Sequence, residues 1–269
     1  MHSARSRWLF IGSVALLHIA GFRVLLHGLS PWIAYAILGI PALALTGAAA
    51  TLRGESTSPS RIGTLFISGL VLWWPASFGL GLLTGLRYPG IDWAVPIGVT
   101  ILVLHIATRR DRTRRPSWFA PGTFDLPSVI LGIATAGLAG LALWLWSRSG
   151  APTIEEQRQQ LEQIPQGMLV PLALGFAVTN ALAEEFVYRG VIREALRGMA
   201  RPVVEVLITS ALFGIAHLSG FPSGPVGMAM VFVWGISLGI IRNRTGGLVG
   251  PVIVHVAADL VIFAIVASL

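Results

Sequence analysis

The stretch PSVILGIATAGLAGLALWLWS, residues 127–147, contains no ionisable side chain in 21 positions. About 20 such residues in a helix cross the ~30 Å hydrocarbon core of a bilayer. Lipid offers the backbone no hydrogen-bond partner, so a segment of this kind is stable there as a helix. Working outward, charges and Pro/Gly breaks mark off further apolar segments. They cover 8–28, 31–52, 62–86 and 93–108 before it, and 168–192, 205–219, 225–241 and 248–267 after it. The predicted fold is all-α: a polytopic integral membrane protein of about eight to nine transmembrane helices with a C-terminal four-helix core. Of the 269 residues, 54% are hydrophobic and 12% charged, which excludes a disordered chain and argues against an ordinary soluble enzyme.

The chain has no cysteine, so disulfides, thiolate zinc sites and a cysteine nucleophile are excluded. Every basic residue is Arg, which excludes lysine chemistry as well. The net charge of +7 is read as a topology signal rather than as nucleic-acid affinity, because Arg residues crowd alternate loops. They precede the first segment, form the run Arg109–Arg115, follow Tyr188 at Arg193, Arg197 and Arg201, and recur at Arg242 and Arg244. The pattern predicts a cytoplasmic N-terminus in the cell (plasma or inner) membrane. The first segment shows no small-residue cleavage site and is read as a retained span. Trp residues near segment ends read as interfacial anchors, and Gly81/Gly85 and Gly235/Gly239 as close-packing sites. The predicted organisation is an N-terminal bundle of about five spans over 1–150, a polar external connector over 151–166 and a core over 167–269. Thr153 and Glu156 have capping-box spacing, which predicts a short helix in the connector.

Ionisable groups inside lipid are costly, about 2.5–3.5 kcal/mol each on insertion scales, and they mark function. Nearly all of them fall after residue 167. In AEEFVYR, residues 183–189, Glu185 and Arg189 are four apart and can pair on one helix face. Glu184 is turned about 100° away and is left available as a base, with Tyr188 placed to orient it. His217 ends FGIAH, residues 213–217; taken alone, such a histidine is more often a packed structural residue. His255 and Asp259, in HVAAD, share a face and can hold a water, a proton or a metal, or satisfy each other. Counted from the charged residue at the cytoplasmic end of each segment, Glu184 lies about 13 Å deep, His217 about 18 Å, His255 about 16 Å and Asp259 about 22 Å. Three segments thus offer their groups at one level. Ser210 and Ser219 are not spaced for a triad. A carboxylate with two histidines suits activation of water. Two histidines plus a carboxylate also suit Zn2+, although the HExxH spacing is absent.

The order Glu184-Glu185-x-x-x-Arg189, Phe213-x-x-x-His217 and His255-x-x-x-Asp259, with the flanking Tyr188-Arg189-Gly190 and Thr245–Pro251, resembles the signature of the CPBP intramembrane proteases. This is the CAAX protease and bacteriocin-processing (Abi) family. The likeness spans roughly 168–265, and it implies that the C-terminal core is catalytic and cuts peptides in or near the bilayer. It implies Glu184 as the residue that activates water, with Glu185 and Arg189 in support. His217, His255 and Asp259 would complete a water or metal site, so the implied ligand set for Zn2+ is Glu184, His217, His255 and Asp259. The family often has Asn where Asp259 stands, which opens the role of that position. The expected partners are the lipid bilayer and a peptide or membrane-protein substrate, with no nucleic acid; the oligomeric state is not specified. Two other classes compete. One is a non-catalytic membrane immunity or scaffold protein that binds peptides or partner proteins. The other is an ion-coupled transporter, which the lack of internal repeats disfavours.

Overall fold

The computed structural model describes residues 120–148, 152–197, 200–218 and 220–268. The first four apolar segments, the Arg109–Arg115 run, Ser219 and the capping-box side chains of Thr153 and Glu156 lie outside the described residues. Helices are named in chain order: α1 (Leu126–Ser147), α2 (Pro152–Glu162), α3 (Gln166–Glu185), α4 (Arg193–Leu196), α5 (Pro202–Ala216), α6 (Gly224–Thr245) and α7 (Val249–Ser268). A π-helical stretch, Phe186–Ile192, carries α3 on without a break.

The expectation of eight to nine membrane helices is overturned. Among the described residues, four helices are long and apolar enough to cross a membrane: Leu126–Ser147, Gln166–Ile192, Gly224–Thr245 and Val249–Ser268. The expected four-helix core is corrected with it. Its second member, predicted over 205–219, is the 15-residue α5. At 1.5 Å per residue α5 reaches only about 22 Å, short of the ~30 Å apolar core. Ala216 ends it, a turn follows at His217–Leu218, and the next helix, α6, begins at Gly224. Four crossing helices make this a multi-pass membrane protein embedded in lipid.

Local chemistry sets the helix ends. Asp125, in extended conformation, caps α1 by accepting from the Ser128 backbone N–H at 2.9 Å, and a proline stands in the first turn. The Ser128 hydrogen bonds, with smaller help from Arg244, lower the exposed Asp125 carboxyl to about 2. The last turn of α6 closes on Gly246 in the left-handed region, φ 70°. Beyond it, Thr123 N–H donates to the Thr245 carbonyl at 2.8 Å and Leu248 N–H to Ala120 at 3.3 Å. A Cβ on Gly247 would collide with the backbone of Pro121, so only glycine fits this clasp. In α3, Pro171 lies inside the helix, where it removes one backbone hydrogen bond.

Val191–Glu205 belongs to one compact unit; the described residues up to Gly190, with Val206 onward, belong to another. In the first, Arg193 Nε lies 3.7 Å from Glu205 Oε2 and Arg197 pairs with Glu194 at 3.4 Å. In the second, α7 packs against α1, α3 and α6. Small residues set these approaches. A Cβ on Gly132 of α1 would meet Val254 at 3.0 Å, and one on Gly235 of α6 would meet Ser210 of α5 at 3.0 Å. Leu238, Ile241 and Val254 form the buried apolar core with Leu131, Ala136 and Trp234 against it. The large apolar side chains left outside, such as Ile130, Ile133 and Leu138 on α1, present the surface that lipid covers. The connector does fold as a short helix: Ile154 of α2 is buried, and Arg158 bonds Glu155 on its exposed side.

Candidate active site

The site grows from the last turn of α3. Glu184 and Glu185 are adjacent, so helical rotation sends their side chains to different surroundings. Glu185 is fully buried, whereas the Glu184 side chain keeps 27% of its exposure. Glu185 Oε1 accepts from Arg189 Nη1 at 2.9 Å and from His255 Nδ1 at 2.8 Å. Arg189, itself buried, donates from Nη2 to the Gly235 carbonyl at 3.1 Å and lays its guanidinium 4.5 Å from the centre of the Phe213 ring. The expected Glu185–Arg189 pair is therefore present, and it is tied to two further helices.

His255 is the junction. With Nδ1–H given to Glu185, its Nε2 faces Glu184 Oε2 at 3.5 Å and Asp259 Oδ1 at 3.7 Å. The two neighbouring carboxylates of α3 thus address the two nitrogens of one imidazole. His255 and Asp259 do share a face of α7, but the hydrogen bond of Asp259 goes elsewhere. Asn180 Nδ2 donates to Asp259 Oδ2 at 3.1 Å. Asn180 escaped the sequence reading. Its one signal is a polar side chain in an apolar run, one helical turn before Glu184.

His217 stands just past the end of α5. Its Nδ1 lies 3.0 Å from the Phe213 carbonyl, so that nitrogen carries the proton and Nε2 is the ring's acceptor. Phe213 packs its ring against both histidines, with centroids 4.9 Å from His217 and 6.0 Å from His255. Tyr188, expected to orient Glu184, stacks its ring on Phe213 at 4.7 Å. It belongs to the π-helical stretch that begins one residue after Glu185; such widened turns occur often at functional sites.

Depth follows from α6. Gly235, which accepts from Arg189, is near the middle of Gly224–Thr245, about 15 Å from either end at 1.5 Å per residue. Asp259 lies about as far into α7 from Val249. Glu184, Glu185, Arg189, His255 and Asp259 therefore meet midway across the membrane-length helices.

Among the described residues, no group of three or more His, Asp or Glu side chains could hold an ion. Of the expected set Glu184, His217, His255 and Asp259, the structure brings Glu184 Oε2 to 3.5 Å and Asp259 Oδ1 to 3.7 Å from His255 Nε2, while His217 Nδ1 is bonded to the Phe213 carbonyl.

No curated protein and no solved structure matches the chain. One protein-family comparison does match, over residues 166–261. That stretch begins at the first residue of α3 and ends within α7. It covers less than half of the chain and takes in every candidate site residue. Over residues 166–261 the chain is similar to the family described as type II CAAX prenyl endopeptidase, Rce1-like.

Proposed function

We propose that this protein is an intramembrane endopeptidase in which Glu184 activates water for peptide-bond hydrolysis. The observation that carries the reading is the division of labour between two adjacent carboxylates. Glu185 is buried and committed to Arg189 and His255, whereas Glu184 is partly exposed and has His255 Nε2 at 3.5 Å. In the reaction, Glu184 takes a proton from a water as the water oxygen attacks the scissile carbonyl carbon. The carbonyl electron pair moves onto oxygen. His255, protonated on Nε2 as well as Nδ1 among its three carboxylate neighbours before the attack, supplies the N–H donor for that oxygen. His217, whose Nδ1–H is spent on Phe213, offers Nε2 as the acceptor that orients the water. The amine leaves as the C–N bond breaks and carries off a proton from the carboxyl of Glu184. Glu185 and Arg189 fix His255 throughout.

The substrate in this reading is a peptide or a membrane-protein segment, reached within the cell membrane. The Arg242 and Arg244 end of α6 faces the cytoplasm. The test compares peptides from membranes and medium of cells making wild type or Glu184→Gln at matched levels, followed by cleavage with the purified protein. We expect new peptide termini with wild type alone. Loss of the base should slow cleavage about 10²–10⁴-fold while the variant still inserts. The same termini, cut as fast by Glu184→Gln, would overturn the mechanism. Identical peptides from both strains and from cells without the protein favour a non-catalytic immunity or scaffold role.

A further inference from the structure

Asn180 is an amide side chain bonded to the charged cluster through Asp259. It lies on α3 four residues before Glu184, so both occupy one face of the helix. Its partner Asp259 is on α7, 79 positions later in the chain. A carboxylate only accepts, so the atom that Asn180 turns toward it must be the NH2 rather than the carbonyl oxygen. That bond occupies Asp259 Oδ2 and leaves Oδ1 toward His255 Nε2 at 3.7 Å. Glu184 Oε2 stands on the same ring nitrogen at 3.5 Å. Three carboxylates, Glu184, Glu185 and Asp259, surround His255, and Arg189 bonds only one of them. A neutral donor is what can hold Asp259 without adding a charge to this group.

We propose that Asn180 is a positioning residue: its amide fixes the Asp259 carboxylate so that Asp259 and Glu184, on two different helices, bracket His255 Nε2. It acts through Asp259, and any effect on cleavage rests on the endopeptidase reading above. The effect on His255 does not.

The experiment therefore has two arms, both on the full chain in lipid nanodiscs. The first needs no substrate. Protein labelled with ¹⁵N-histidine is examined by NMR, with the His255 ring signals assigned by their loss in His255→Ala. Asn180→Leu should move those signals. Thr179→Val, which alters an exposed hydroxyl bonded only to carbonyls of its own helix, should leave them in place. Unmoved His255 signals in folded Asn180→Leu overturn the proposal, whatever the protein does to peptides.

The second arm uses a synthetic peptide carrying a sequence that wild type cuts. Asn180→Leu should lower kcat about 10–100-fold, as removal of orienting partners does, with KM within about twofold. The exchanged pair Asn180→Asp with Asp259→Asn keeps the interhelical hydrogen bond but moves the carboxylate off α7. It should recover the thermal midpoint and not kcat. Recovery of kcat by the exchange, or wild-type kcat in Asn180→Leu, would reduce Asn180 to a tether between helices and overturn the proposal.

Discussion

One oxygen atom, Glu185 Oε1, receives both Arg189 and His255. Glu185 Oε2 and Arg189 Nε have no hydrogen-bond partner among the described residues. Attraction within so dry a group depends on every charge being present. Arg189→Met should therefore lose about 3–5 kcal/mol, because it strands a buried carboxylate. The measurement is the unfolding midpoint in mixed detergent micelles, and Arg189→Lys should fall between the two, keeping the charge without the fork that also reaches Gly235. At this scale the sequence was readable where a helical repeat ties residues together. Glu185 and Arg189 are four apart, and four-residue spacing makes them neighbours on any helix. His255 and Glu185 are 70 positions apart and Asn180 and Asp259 are 79 apart. No periodicity encodes such pairs; helix packing makes them.

The antiparallel seam between α5 and α6 brings in the next scale. Gly214 of α5 faces α6 so closely that a Cβ would lie 2.8 Å from the Met228 carbonyl oxygen and 3.2 Å from Phe232 Cβ. Backbone cannot swing aside as a side-chain tip can. Gly214→Ala should cost about 1–3 kcal/mol through overpacking. Gly175→Ala, on α3 where a Cβ meets nothing within 4 Å, should leave the thermal midpoint unchanged or slightly raised. Thermal unfolding of the two variants in one detergent checks the contrast. The seam also explains which elements could be read in advance. Unbroken apolar runs gave α1, α3, α6 and α7, because crossing lipid needs little more than length and hydropathy. Over 205–219 the apolar count overstates the helix, because the backbone turns after Ala216; the Gly220-Phe221-Pro222 stretch carries that signal. The π-helical stretch after Glu185 has no compositional mark at all.

Over the whole molecule, α1 joins two ends of the described structure. Its start is clasped to the end of α6 through Thr123 and Thr245, and Trp146 near its end sets its ring edge-on to Phe221 at 5.1 Å. The Arg-rich end of α6 and the start of α1 therefore lie on one side of the membrane, and the start of α6 and the end of α1 on the other. Because the chain has no cysteine, each introduced thiol is unique. Phe124→Cys should react with an impermeant maleimide only in inside-out vesicles, and Gln163→Cys only in intact cells or spheroplasts. The reverse pattern would invert the assigned orientation. The alternation of Arg-bearing loops is the sequence feature that predicts this sidedness, and the labelling pattern tests it.

The row Arg189, Glu185 and His255 is assembled when the helices pack, before any substrate arrives. Its charges are pinned by hydrogen bonds in a place where water cannot reorient around them. They exert a standing electric field along the line that ends at His255 Nε2. In water, solvent dipoles would have to rearrange for each developing oxyanion, and that work would recur at every turnover. In the proposed endopeptidase it is done once, during folding, and the Oε2 and Nε atoms of the row, without hydrogen-bond partners among the described residues, are the part of that cost that stays visible in the finished structure.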